Sequence, residues 1–163
     1  TFRKLAEEAR DLIAPTLSNR HGSWTADQCL PGGDIFGAKP ANRSVLEFDR
    51  FVHDMQGQYA WLAPKLVARY ARAYGTRIHA MLAHRTGIAH MGQEIAPGLF
   101  AAEVEYWMQY EWATNATDML WRRSKLGLHL PEGTQQTLDA WIAAHRPANV
   151  RTQNEHDNTS PHD

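Results

Sequence analysis

A chain of 163 residues, 43 % apolar and 21 % charged, with six tryptophans, five tyrosines and five phenylalanines, has the size and side chains for one domain with a single core. Its net charge of −1 gives no whole-molecule attraction to nucleic acid or anionic lipid, and no apolar run approaches the ~20 residues that a membrane-spanning helix requires. The single cysteine, Cys29, excludes an intramolecular disulfide and fits a reducing compartment.

The chain opens as TFRKLAEEARDLIA, without an initiator methionine or the form of a secretory signal. Phe2, Leu5, Ala6, Ala9, Leu12 and Ile13 follow helical spacing, so a helix is predicted from the first residues. A helix in full period at residue one is the expected mark of a fragment whose upstream sequence lies elsewhere. Residues 19 to 43 hold four glycines and two prolines and predict a long ordered loop, with Trp24, Ile35 and Phe36 available to pin it. Ser44 and Glu47 stand at capping-box spacing before VLEFDRFVHDM, a helix expected to end at Gly57.

WLAPKLVARYARAYG predicts the next helix, with Leu62, Leu66, Tyr70 and Tyr74 at fourfold spacing and Gly75 as its stop. Thr76 is placed to cap a shorter helix carrying Ile78, Met81 and Leu82. After a connection marked by Gly87, Gly92, Pro97 and Gly98, LFAAEVEYWMQYEWA sets two apolar stripes side by side, as in a helix buried on two sides. A short helix over DMLWRRSK and a last one from about Pro131 to His145 complete the chain. No strand-like alternation of useful length occurs. The expected fold is all-α, a compact bundle of about six to seven helices over residues 1–146. Residues 147–163, which lack large apolar side chains apart from Val150, are expected to be a disordered tail.

The charges are unevenly distributed. No acid occurs between Met55 and Gln93, where Lys65, Arg69, Arg72, Arg77 and Arg85 stand; no base occurs from Glu94 to Asp118. Complementary faces of neighbouring helices explain this, and a basic surface for an anionic ligand or partner domain is the alternative. His79, His84 and His90 have no shared helical face and no metal-ligand spacing, so no metal is expected. Cys29 has no paired base. LPGGD (Leu30–Asp34) has the glycines of a turn without the strand, helix and spacing of a phosphate loop. A helix-turn-helix over residues 62 to 86 is weakly supported at this charge balance.

The segment DMLWRRSKLGLHL sets Trp121 beside Arg122 and Arg123. Asp118 and Arg122 stand at i, i+4 in the favourable order, and cations in the last turn suit the helix dipole. Gly127 is placed as a left-handed stop. The expectation is a structural ionic network of Glu103, Glu111, Asp118, Arg122 and Arg123, with one arginine facing inward on a carboxylate. No catalytic residue is identified.

The blocks TFRKLAEEA, LPGGD, LVARYARAYGT, FAAEVEYWMQYEWATNATDMLWRRSKLGLHL and QQTLDAWI, in this order from Thr1 to about His145, resemble the C-terminal domain of aerobic, FAD-dependent glycerol-3-phosphate dehydrogenases. The resemblance implies a non-catalytic helical cap on an upstream FAD and substrate domain. The parent would oxidise sn-glycerol 3-phosphate to dihydroxyacetone phosphate and pass electrons to quinone. It would be cytoplasmic, peripherally associated with the cytoplasmic membrane, and a candidate homodimer. Thr1, Phe2 and Arg3 match the end of a segment close to the flavin, so Thr1 alone is implied in cofactor binding, in the full-length protein only. A glycerol-3-phosphate oxidase domain and a free-standing interaction module are the alternatives.

Overall fold

The computed structural model describes residues 1–18 and 21–145; the expected tail lies outside these. The described residues are mostly helical, with seven α-helices and one small sheet. The chain divides into two compact units, Thr1–Ile88 and Ala89–Asp163, each with its own buried apolar side chains.

The first unit contains α1 (Phe2–Ile13), α2 (Arg43–Leu46), α3 (Phe48–Gln58), α4 (Pro64–Tyr74) and α5 (Ile78–Met81). Its interior is made by α3 and α4, through Phe51, Val52, Met55, Val67, Tyr70 and Ala71, together with Leu62, Ile78, Met81 and Leu82. Pro64 occupies the first turn of α4, where its missing N–H costs nothing. Gly75 ends that helix at φ 53°, a value that disfavours side chains.

Two local expectations change. The helix expected from Ser44 is broken at Glu47, whose carboxylate takes Arg43 at 2.8 Å and Arg50 at 3.2 Å, and Ser44 makes no cap. Gly57 lies inside α3, because at a helical φ it needs no left-handed exit. Helix α1 exposes its apolar residues: Phe2, Leu5, Leu12 and Ile13 all face solvent, while Glu7 is its buried residue.

The second unit opens with an antiparallel hairpin of β1 (Glu94–Ala96) and β2 (Leu99–Phe100), a strand pair the sequence does not predict. Pro97 and Gly98 make its turn, with Gly98 at φ 73°, and the Gly98 N–H donates to Glu94 Oε1 at 2.8 Å. Helix α6 (Ala101–Tyr110) follows without a break and is buried along Ala101, Ala102, Glu103, Val104, Tyr106 and Trp107, as its double stripe predicts. The next segment, Asp118–Arg123, is a π-helix, and α7 (Thr134–His145) buries Leu138, Trp141 and Ile142. Helix α7 starts three residues later than expected: Gly133 takes φ 85°, and the Thr134 hydroxyl donates back to the Pro131 carbonyl at 2.7 Å.

Candidate functional site

The π-helix is tied at its start by short polar side chains. Asn115 Oδ1 accepts the Asp118 N–H at 2.9 Å, and Asp139 Oδ1 from α7 accepts the Ala116 N–H at 2.8 Å. Asp118 Oδ2 in turn accepts the Thr114 N–H at 3.1 Å and the Thr114 hydroxyl at 3.0 Å. This is a capping arrangement shared among three side chains. The Thr114 amide, the Arg122 guanidinium and the Thr114 hydroxyl, in that order, hold the Asp118 carboxyl down at about 2.

The cations of the segment are each engaged by oxygen. Arg122 Nη1 donates to Asp118 Oδ1, yet its side chain stays 63 % exposed. Arg123 donates through Nε and Nη2 to the Glu111 backbone carbonyl, at 3.1 and 2.8 Å. Lys125 Nζ donates to the Trp121 carbonyl, and the Ser124 hydroxyl to that of Met119 at 2.7 Å. Neither arginine faces inward. The unpaired carbonyls at a helix end attract cations at the surface, so no buried carboxylate is needed there. Of the five residues expected to form one network, Asp118 and Arg122 meet directly, and Glu111 meets Arg123 through its main chain. Glu103 lies fully buried on α6. Gly127 is not the left-handed stop; Lys125 takes that conformation at φ 59°, and Gly127 is small because the Trp121 indole lies where its Cβ would be, at 2.6 Å.

A polar cleft of about 520 Å³ in the first unit is lined by Cys29, Pro31, Gly32, Asp34, Arg77 and His79, among others. Its wall is the LPGGD turn seated on the α4–α5 connection. The Thr76 N–H donates to the Gly32 carbonyl at 3.0 Å, and the Thr76 hydroxyl donates to Asp34 Oδ1 instead of capping a helix. On the same unit, His79 Nδ1 and the Tyr59 hydroxyl are hydrogen-bonded at 2.7 Å, and burial raises the Tyr59 pKa. That pair spans 20 residues and has no local sequence signal. Trp24 is 62 % exposed and does not pin the loop; Ile35 and Phe36 are half-buried, with the Arg43 guanidinium 4.6 Å above the Phe36 ring.

Among the described residues no group of three metal-ligating side chains comes together, and no helix is long and apolar enough to cross a membrane. Cys29 is half-buried, its sulfur 3.7 Å from the Gly37 carbonyl. The flavin dinucleotide implied by the resemblance needs a glycine-rich strand-to-helix turn for its pyrophosphate. The strand-to-helix junction among the described residues, Phe100–Ala101, has no glycine and is buried. Thr1 is exposed and gives its carbonyl to the Leu5 N–H at 3.1 Å. The residues present therefore do not fit that cofactor by themselves.

Residues 23–148 match the family model of the C-terminal domain of alpha-glycerophosphate oxidase. The chain is 38 % identical over 151 residues to a glycerol-3-phosphate dehydrogenase of Pseudomonas aeruginosa, with 93 % of this chain and 28 % of the relative covered. It is 30 % identical over 142 residues to the aerobic glycerol-3-phosphate dehydrogenase of Escherichia coli, covering 87 % and 26 % respectively. It is also 33 % identical over 142 residues to a D-erythritol 1-phosphate dehydrogenase of Brucella abortus, covering 87 % and 27 %. The chain thus spans about a quarter of the length of these relatives. It belongs to the family of C-terminal domains of the alpha-glycerophosphate oxidases and glycerol-3-phosphate dehydrogenases.

Proposed function

We propose that this chain is the non-catalytic C-terminal cap of an FAD-dependent enzyme that oxidises sn-glycerol 3-phosphate to dihydroxyacetone phosphate and passes the electrons to quinone. The cap packs on the upstream FAD and substrate domain and contributes to a homodimer. The flavin and the reacting groups belong to the upstream part, and peripheral membrane association is a property of the whole protein. The observation that carries this reading is the 38 % identity over 93 % of the chain to a protein named glycerol-3-phosphate dehydrogenase. The misfit of a dinucleotide to these residues supports the assignment of a structural role to the cap.

The test uses the full-length polypeptide that contains this chain. Glycerol 3-phosphate is expected to reduce a bound flavin anaerobically, and a soluble quinone to reoxidise it. Reoxidation by oxygen in preference to quinone would favour an oxidase, the reading suggested by the family description. Turnover of D-erythritol 1-phosphate in preference to glycerol 3-phosphate would move the substrate toward that of the Brucella abortus relative. Absence of flavin from the purified polypeptide would refute the reading.

A further inference from the structure

Helix α1 packs by its polar side. Glu7 is its buried residue, 7 % exposed, with Oε1 accepting from Arg3 Nη1 at 2.9 Å and from the Thr25 hydroxyl at 2.6 Å. The Lys4 ammonium stands 3.6 Å from the other carboxylate oxygen. The Thr25 hydroxyl and the two cations hold the Glu7 carboxyl below its ordinary range. On the opposite side, Phe2, Leu5, Leu12 and Ile13 are 92, 63, 83 and 57 % exposed. At about 100° per residue these four, with Ala9 between them, fall on one stripe roughly half a turn from Glu7.

Four large apolar side chains on one exposed stripe are a surface built to be covered. A lipid surface is a poor match. Helices that lie on membranes carry an excess of Lys and Arg on their polar face, whereas Arg3, Lys4 and Arg10 of α1 are balanced by Glu7, Glu8 and Asp11. The family match covers residues 23–148, so α1 stands on its upstream side, and the matched unit is a C-terminal domain. Relatives carry nearly three quarters of their length outside the aligned region, which covers 26 and 28 % of two of them. We infer that the Phe2–Leu5–Leu12–Ile13 stripe of α1 is the docking surface for the upstream part of the same polypeptide. Helix α1 thereby joins that body by its apolar face and this unit by Glu7. The inference rests on the reading of the chain as a C-terminal cap.

The test is maleimide labelling of the full-length polypeptide carrying Leu5→Cys or Leu12→Cys, read by mass spectrometry on the peptide that bears the new thiol. Glu8→Cys, on the exposed flank of the helix, sets the solvent-exposed rate. Both stripe positions are expected to label about tenfold or more slowly than position 8, at every protein concentration and without lipid. Labelling as fast as position 8 overturns the inference. Protection that appears only with phosphatidylglycerol vesicles assigns the stripe to lipid, and protection that appears only at high protein concentration assigns it to a second copy; either result also overturns it. Turnover of glycerol 3-phosphate by the same preparation separates the two ideas. Fast labelling in an active enzyme removes only the docking surface, whereas slow labelling in an inactive flavoprotein removes only the substrate assignment.

Discussion

Gly32 and Gly75 touch backbone to backbone. A Cβ on Gly75 would lie 1.9 Å from the Gly32 carbonyl oxygen, and one on Gly32 would lie 2.2 Å from that of Tyr74. With Gly32 at φ 88° and Gly75 at φ 53°, both residues also occupy conformations that side chains disfavour. The contact seats the LPGGD turn on the end of α4.

Gly75→Ala is therefore expected to destabilise the fold by roughly 1–3 kcal/mol or more, from the strained φ and the displaced turn together. Gly57→Ala is the control: Gly57 is exposed inside α3 with nothing near its missing Cβ, so the change should stabilise by about 0.4–1 kcal/mol. Urea denaturation of both variants checks this; equal effects would show that the contact is not what restricts Gly75.

Asp118 supplies a dependence on acid. Its folded pKa of about 2 lies below the ordinary 3.8, so its contribution is present above 3.8 and is lost as pH falls toward 2. Asp118→Asn should lower the urea midpoint at neutral pH, and the gap to the parent should close across that window. A gap that is constant from neutral pH to pH 2 would contradict the capping role of the carboxylate.

Tyr59 acts at the alkaline end. Burial raises its pKa above 10.0, so the neutral phenol favours the folded state, and this contribution is full below 10.0 and disappears as pH rises through the folded value. Tyr59→Phe should remove part of the alkaline loss of stability seen in the parent, while losing the hydrogen bond to His79. Thermal melts on both sides of pH 10.0 would detect it, and parallel curves for parent and variant would oppose it.

Arg122→Ala and Arg123→Ala should each change the melting temperature by no more than a few degrees, because both guanidiniums are at the surface. Glu111→Gln should leave the Arg123 contact intact, since its acceptor is the main-chain carbonyl. A fall of more than about 5 °C in either arginine variant would reinstate a buried ion pair.

The helices were legible where period and breaker coincide: Gly75 ends α4 as expected, and the double stripe of α6 is buried as its spacing predicts, whereas α4 starts only at Pro64 and Leu62, expected on its stripe, precedes it. The hairpin at Glu94–Phe100 was not, because strands of three and two residues are too short to show alternation. The stripe of α1 correctly announced a helix but not its orientation, since the unit packs on Glu7. In the Asp118–Lys125 segment, residue types identified the i, i+4 pair but not the acceptors of Arg123 and Lys125. Main-chain carbonyls leave no mark in sequence, and neither does the Trp121 indole lying over Gly127.

The π-helix at Asp118–Arg123 also governs how this chain tolerates changes of length. Its bonds run over five residues, as from the Ser124 N–H to the Met119 carbonyl at 3.1 Å, so the turn holds one residue more than an α-turn would. Removing a single residue there would let the segment close into ordinary α-helix, whereas the same deletion inside α6 would rotate every following side chain by about 100° and expose half of its buried stripe. Gaps of one residue are thus absorbed at Asp118–Arg123 and rejected in α6.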